Sequence, residues 1–278
     1  MNNLNQIIIL VLTLGFISCN NKKKTESKTG QTTSAVSTNL QVDHFNIWVK
    51  NPKTAKKKLT DIGFTSVPDS LSTIHKGQGT TGRYFYFLNN YLELIFVYNP
   101  IEFEKNNREN RGLDFAERAN FDKNGASPFS LALKIKDYDI EKIPFKKVKY
   151  HQEWMNDSES IYSAINSKIN LKEPSIFVVY PELESDRFET LTDLKNIPEE
   201  YAFVRAFYKH PNGAKKVTHI TIISPDLNME TETIQAVNKI ENVSIKNGAD
   251  HLMVLTFDNN AQEKIFDLRP ELPLIIKI

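Results

Sequence analysis

The fold can be inferred from residues 75–97, HKGQGTTGRYFYFLNNYLELIFV, where a glycine-rich loop precedes two apolar, aromatic-rich runs. Two such runs separated by turn-forming residues predict a tight β-hairpin, with strands at 83–88 and Tyr91–Val97 joined at Asn89-Asn90. The second strand contains one acid, Glu93, within an otherwise apolar run. Because burying a carboxylate without a partner is unfavourable, Glu93 is expected to have a specific structural or functional role.

The loop before the hairpin contains Gly77-Gln-Gly79-Thr-Thr-Gly82, which matches the pattern G-x-G-x-x-G. Dinucleotide binding through this pattern requires a strand before it and a helix after it, so that phosphate meets a helix N-terminus. An aromatic strand follows here instead. No nucleotide cofactor is therefore expected, and the glycines are predicted to serve a turn or a lid.

Composition limits the classes of function. The 278 residues include 35 basic and 34 acidic side chains, so no overall field favours a nucleic-acid partner. This length suits one large domain or two small ones with a substantial core. Cys19 is the only cysteine. Disulfides and thiolate metal sites are thus excluded, and a bound metal would need histidines and carboxylates.

The N-terminus has the pattern of a targeting segment. Residues 7–17 form an apolar run that is too short to span a bilayer but suits a signal peptide. The run ends just before Cys19 and resembles a bacterial lipoprotein signal, which implies removal of residues 1–18 and lipidation of this cysteine. Residues 19–39 are polar and predict a flexible tether. The alternative is a chance cysteine after a short membrane-anchoring helix.

The first folded unit begins at residue 40. The alternating pattern of 40–50 predicts a strand that places His44, Asn46 and Trp48 on one face. Asn51-Pro52 is a helix start, and Gly63 suits the helix end. With the hairpin, the order is strand, helix, strand, strand, strand.

This unit recurs along the chain, which predicts modules at about 40–100, 128–181 and 216–278. In the second copy, Ser130 occupies the position of His44. Residues 182–210 lack periodicity and are interpreted as an insertion.

The third copy repeats the polar residues of the first. His219 aligns with His44, and FDNNAQEKIF at 257–266 matches FLNNYLELIF at 87–96 in six of ten positions, aligning Glu263 with Glu93. Two imidazoles and two carboxylates suit Zn, Ni, Co, Fe or Mn.

The sequence therefore predicts a metal site of His44, Glu93, His219 and Glu263, at which open metal positions would polarise a substrate. A glutamate that leaves the metal, Glu93 or Glu263, would act as the catalytic base.

Three further residues are predicted to line the substrate pocket: His75, Arg83 and Trp48. Structural alternatives stand beside these assignments. His44 would be a hydrogen-bonded core histidine, Glu93 would pair with Arg83 across the hairpin, and His75 would simply be exposed.

Several of these features resemble the glyoxalase-like domain of the vicinal oxygen chelate superfamily. They are the element order of the first unit, V-x-H-x-x-I at 42–47, the loop 75–82 and YLEL at 91–94, with a further likeness at 210–226. The resemblance implies an α+β fold, in which repeated βαβββ modules form a half-open mixed β-barrel with peripheral helices around a metal.

The implied function is that of a divalent-metal-dependent lyase, isomerase or dioxygenase acting on a small oxygenated molecule. The alternative is a non-catalytic lipoprotein of the cell envelope that uses the barrel as a small-molecule pocket. In both cases the membrane is reached through the lipid on Cys19. The sequence indicates no oligomeric state.

Overall fold

A computed structural model describes residues 38–152 and 155–278. The predicted signal peptide, Cys19 and the tether up to residue 37 lie outside the described residues. Within the described part of the chain, no helix combines the length and hydropathy needed to cross a membrane.

Eight strands form a mixed sheet that curls into a half-barrel. They are β1 (Leu40–Trp48), β2 (Ile74–His75), β3 (Thr80–Tyr86), β4 (Tyr91–Val97), β5 (Phe129–Ile135), β6 (Lys147–Tyr150), β7 (Ile161–Ala164) and β8 (Ser175–Val178). Their order is β2-β3-β4-β1-β5-β8-β7-β6. β1 is parallel to β4 and antiparallel to β5, which is itself parallel to β8. The predicted α+β class and half-open barrel are therefore confirmed.

The described residues form six α-helices beside the sheets: α1 (Pro52–Asp61), α2 (Pro100–Glu109), α3 (Phe115–Ala119), α4 (Phe121–Asn124), α5 (Asn166–Ile169) and α6 (Glu232–Val237). α1 forms as predicted, because the Asn51 side chain accepts a hydrogen bond from the Thr54 amide and Pro52 occupies the first turn. Gly63 follows with φ of +87°, a conformation that favours glycine. Two 3₁₀ turns, Lys136–Tyr138 and Ile140–Lys142, follow β5.

Five further strands of the described chain form a separate sheet: β9 (Val217–Ser224), β10 (Val243–Asn247), β11 (Leu252–Phe257), β12 (Ile265–Asp267) and β13 (Leu274–Lys277). Their order is β10-β9-β11-β13-β12. β9 lies between β10 and β11, whereas β1 lies between β4 and β5. The sequence pattern did not reveal β10, which pairs in parallel with β9. Residues 216–278 consequently do not repeat the strand order of residues 40–100.

The two Asn-Asn segments also differ in structure. β3 ends at Tyr86, so Asn89 belongs to a four-residue loop rather than to a tight two-residue turn. The Asn89 side chain accepts from the amide of Val217 at 3.0 Å and donates to its carbonyl at 2.8 Å. Asn259 instead lies in a 3₁₀ turn with φ of +58°.

The apolar face of the eight-stranded sheet packs against the second sheet. Phe45 and Leu131 on one side and Ile220 and Leu255 on the other are fully buried members of one hydrophobic core. Burial of each such side chain stabilises the fold by about 1.5–3 kcal/mol. The other face of the eight-stranded sheet is polar, and it is partly covered by α2–α4 and by residues 181–208.

A buried arginine anchors the helices at the polar face. Arg118 on α3 is 0% exposed, and its Nε donates to the Asp114 carboxylate at 2.8 Å. Its other nitrogens donate to the carbonyls of Ser127, Leu171 and Ser167 at 2.7–2.9 Å. The guanidinium therefore ties α3 to the segments around β5 and α5.

We expect Arg118→Met to lower the free energy of unfolding by about 3–5 kcal/mol, because the Asp114 carboxylate would remain buried without its partner. The matched control is Arg108→Met on α2, where both members of the Arg108–Glu104 pair are mostly exposed. This control is expected to change the unfolding free energy by less than about 0.5 kcal/mol. Urea unfolding followed by circular dichroism measures both, and equal losses would contradict the anchoring role.

Candidate functional site

Strand alternation brings a group of polar side chains together on the polar face. Asn46 of β1 is in register with Glu93 of β4, and Tyr84 of β3 is opposite Glu93 on the other side. His44 lies two residues before Asn46, and Tyr91 lies two residues before Glu93, so both share the same face. These residues form the candidate site.

Glu93 is the central acid of this site and is 4% exposed. The Tyr84 hydroxyl donates to its Oε1 at 3.1 Å. Burial raises the pKa of Glu93 to about 7, against the opposing effect of the Tyr84 hydrogen bond. Gly82 provides the space, since a Cβ at this position would lie 2.3 Å from Oε1. The last glycine of the G-x-G-x-x-G pattern therefore admits a carboxyl group.

His75 is adjacent to Glu93 but does not neutralise it. Its Nε2 lies 3.7 Å from Glu93 Oε1 and 3.2 Å from the Tyr84 hydroxyl, and its Nδ1 lies 2.8 Å from Thr80 Oγ1. Burial, followed by the charge of His44, lowers the pKa of His75 to about 4. The ring is thus neutral near pH 7, and Glu93 has no cationic partner within 4 Å among the described residues.

A second acid and histidine lie side by side at an irregularity in β1. The register of β1 against β5 shifts between Val42 and His44, and this bulge re-aims the intervening Asp43. His44 Nδ1 donates to Asp43 Oδ2 at 2.8 Å, while Ser185 donates its amide and hydroxyl to Oδ1 at 2.7 and 3.0 Å. Burial alone would raise the pKa of Asp43, but these bonds and the charge of His44 hold it below its ordinary value.

Tyrosine rings occupy the space around Glu93. The rings of Tyr84, Tyr86 and Tyr91 lie with centroids 5.7–6.5 Å apart, and Tyr91 stacks on His44 at 4.3 Å. Tyr208 from the insertion stacks on Tyr86 at 5.5 Å. Burial, with the charges of Glu93 and Asp186, raises the pKa of Tyr86 to about 12, so its hydroxyl stays protonated.

Asn46 contributes an unused acceptor. It is 5% exposed, and its Oδ1 has no hydrogen-bond partner among the described residues. Buried polar atoms are usually satisfied by protein, water or ligand. An unpartnered amide oxygen in register with Glu93 therefore indicates a position where a ligand donor group could bind.

The four residues predicted to hold a metal do not form one site. His44 and Glu93 lie on adjacent strands of the first sheet, but His219 is in the second sheet, with its Nε2 3.1 Å from Ser244 Oγ. Glu263 is exposed in a turn before β12, with φ of +55°, rather than in a strand. No group of three or more His, Cys, Asp or Glu side chains suited to a metal occurs among the described residues.

The prediction of a four-ligand metal centre is therefore wrong. His44 and Glu93 alone do not supply the ligand set of the metal implied by the resemblance. The repeat that suggested this centre aligned residues of two sheets with different strand orders.

Two of the predicted pocket residues are placed away from Glu93. Arg83 lies on the opposite face of β3, where its Nε is 3.1 Å from Asp69 and its guanidinium covers Phe96. The alternative prediction, that Arg83 pairs with Glu93, is thus wrong. Trp48 shares the polar face but packs against Phe103 in a small apolar cluster. His75 is the pocket residue that the structure places beside Glu93.

Sequence reasoning missed the roles of Asp43, Asn46 and Ser185. Asn46 was detectable, because alternation places it on the same face as His44. The bulge that redirects Asp43 leaves no sequence signal, and Ser185 reaches the site from an insertion without periodicity.

Comparison with known proteins supports the fold alone. No family model matches this sequence, and no curated protein matches it. Among solved structures, the chain is similar to the crystal structure of a hypothetical protein from Staphylococcus aureus, with a TM-score of 0.52 and 14% identity. The match covers 85% of this chain and 98% of that chain. The likeness extends over most of the chain at low sequence identity.

The pKa of Glu93 predicts how stability changes with pH. In the unfolded chain the carboxyl loses its proton near pH 4.5, whereas in the folded chain it keeps the proton until about pH 7. Ionisation therefore favours the unfolded state within this window. Relative to Glu93→Gln, the wild type should lose stability on the order of 3 kcal/mol between about pH 5 and about pH 8.

Urea unfolding of both proteins at the two pH values measures this difference. Glu263→Gln is the matched control, because it makes the same substitution at an exposed position outside the candidate site. A pH-independent difference for Glu93→Gln would show that the carboxyl has an ordinary pKa.

Proposed function

We propose that this chain is a glyoxalase-like protein in which residues 40–100 and 128–181 are two copies of the βαβββ module. This proposal is supported by the strand pairing, which follows the same pattern in residues 40–100 and in residues 128–181, on either side of the β1–β5 contact. On each side the first strand is parallel to the last, and the two middle strands continue outward in antiparallel order. In the second copy, 3₁₀ turns replace the helix.

The proposed function is the binding of a small polar molecule at the polar face of the half-barrel. The observation that carries it is Glu93, which is buried on a sheet face, lacks a cationic partner among the described residues, and has space only because residue 82 is glycine. Purely structural residues rarely leave a buried carboxyl group in this state. A ligand that supplies N–H or O–H groups would satisfy Glu93 and the Asn46 amide oxygen together.

A non-catalytic binding protein agrees better with these residues than a metal-dependent lyase, isomerase or dioxygenase. In the second copy, Ser130 occupies the position of His44, and its pairing partner on β8 is Ser175. Neither hydroxyl supplies the imidazole or carboxylate that such a centre requires. With lipidation at Cys19, the protein would present this site from a membrane anchor in the cell envelope.

The test is a thermal-unfolding screen of the purified protein against small polyols, amines and hydroxy acids. At least one compound is expected to raise the melting temperature of the wild type, because a ligand that binds only the folded state stabilises it. This shift should disappear in Glu93→Gln and persist in Glu263→Gln. Complete absence of shifts would overturn the proposal.

The same variants distinguish the metal-dependent alternative. Zn, Ni, Co, Fe and Mn are added singly to the wild type and to both glutamine variants. Under the proposed function, no metal is expected to raise the melting temperature of the wild type through a site that needs both Glu93 and Glu263. Stabilisation lost in Glu93→Gln and in Glu263→Gln would restore the four-ligand centre.

The Asp43–His44 pair favours a second candidate, a proton-transfer enzyme. An imidazole oriented by a buried carboxylate and a nearby acid with a pKa near 7 are the two groups that acid–base catalysis needs. Such a site would exchange a C–H proton of its bound compound with solvent. Proton NMR in D₂O should then show deuterium incorporation with the wild type and none with His44→Phe, whereas a pure binding protein gives none with either.

A further inference from the structure

The candidate site gathers several carboxyl groups. Besides Glu93, the insertion contributes Asp186, and the charges of both carboxylates add to burial in raising the pKa of Tyr86. Burial and the neighbouring charge of Asp43 also raise the pKa of Asp186. Acidic groups from β1, β4 and the insertion therefore act on the same region.

The cations near these acids are already engaged. Lys134 on β5 lies 3.1 Å from the Glu184 carboxylate. Arg187 of the insertion donates to the backbone carbonyl of Val42. Arg83 pairs with Asp69 on the opposite face of β3. Among the described residues, no lysine or arginine is within 4 Å of Glu93.

The walls of the site also suit a positive ligand. The rings of Tyr84, Tyr86 and Tyr91 cluster near Glu93, and aromatic rings attract cations through the ring quadrupole. Tyr86 and Tyr91 are only partly buried. Asn46 adds an independent indication that the ligand carries a donor group, N–H or O–H, because its Oδ1 is unpartnered among the described residues.

We propose that the ligand is a small organic ammonium ion, whose nitrogen donates to the Glu93 carboxylate and Asn46 Oδ1 beside the tyrosine rings. This inference rests on the proposed function and specifies its ligand class. A neutral polyol would leave the negative charge uncompensated, and a carboxylate or phosphate would meet two acids and no unengaged lysine or arginine among the described residues.

The experiment uses three probes of similar size and different charge. n-Propylammonium, propionamide and propionate are titrated into the full-length protein at constant ionic strength, and binding is followed by saturation-transfer NMR and by thermal unfolding. Potassium chloride is the control for an inorganic cation or a salt effect. n-Propylammonium is expected to bind and stabilise the protein, and the other three are not.

Variants then locate the binding. Glu93→Gln keeps the side-chain shape and removes the charge, so propylammonium should bind roughly tenfold to a hundredfold more weakly, as for a hydrogen bond to a charged group. Tyr86→Leu should weaken binding roughly threefold to tenfold, whereas Tyr86→Phe keeps the aromatic face and should bind nearly as the wild type does. Glu263→Gln is the exposed control and should leave binding unchanged. Thermal unfolding without probe shows that each variant is folded.

Each other outcome has a definite meaning. Equal binding of propionamide, preferred binding of propionate, or equal stabilisation by potassium chloride would overturn the ammonium assignment. Propylammonium binding that Glu93→Gln does not weaken would place the ligand elsewhere and also overturn it. If no probe binds but a neutral compound of the broader screen does, the binding function stands and the ligand class is wrong. If nothing in either experiment binds, both proposals fail.

Discussion

The antiparallel pairing of β1 with β5 is the contact on which the eight-stranded sheet depends. Every other strand of this sheet is connected to one of these two, in the order β4, β3, β2 on one side and β8, β7, β6 on the other. The pairing also gives the sheet its two faces. Phe45 opposite Leu131 lies in the apolar core, while Asn46 opposite Ser130 lies on the polar face. One register thus determines both the core and the location of the site.

Sequence reasoning predicted most of the first half of the chain because its signals are local. The alternation in β1, the Asn51-Pro52 start of α1 and the aromatic strands around Glu93 each act within a few residues. The prediction weakened where pairing is non-local. The strand order of residues 216–278 depends on β10, whose short run, Val243–Asn247, follows α6 without a distinct turn signal.

The candidate site shows the same limit more clearly. The sequence singled out Glu93 because an acid in an apolar strand needs an explanation, and this acid is central to the site. The match of Glu263 to Glu93 was misleading. Six of ten residues agree in the two segments, yet Glu93 lies in a buried strand and Glu263 in an exposed turn. Local similarity does not determine tertiary surroundings, which decide whether a carboxyl group can act as a ligand or an acid.

The Asn89 contact connects the site to the second sheet. This side chain bonds both backbone groups of Val217, so the loop that ends β3 and begins β4 is held at the first residue of β9. The backbone of Leu88 is likewise bonded to the Lys215 carbonyl. The second sheet therefore serves as a brace for the strand that contains Glu93. A shortened chain that ends before β9 would lose this brace, and the half-barrel should not be regarded as an independent binding unit.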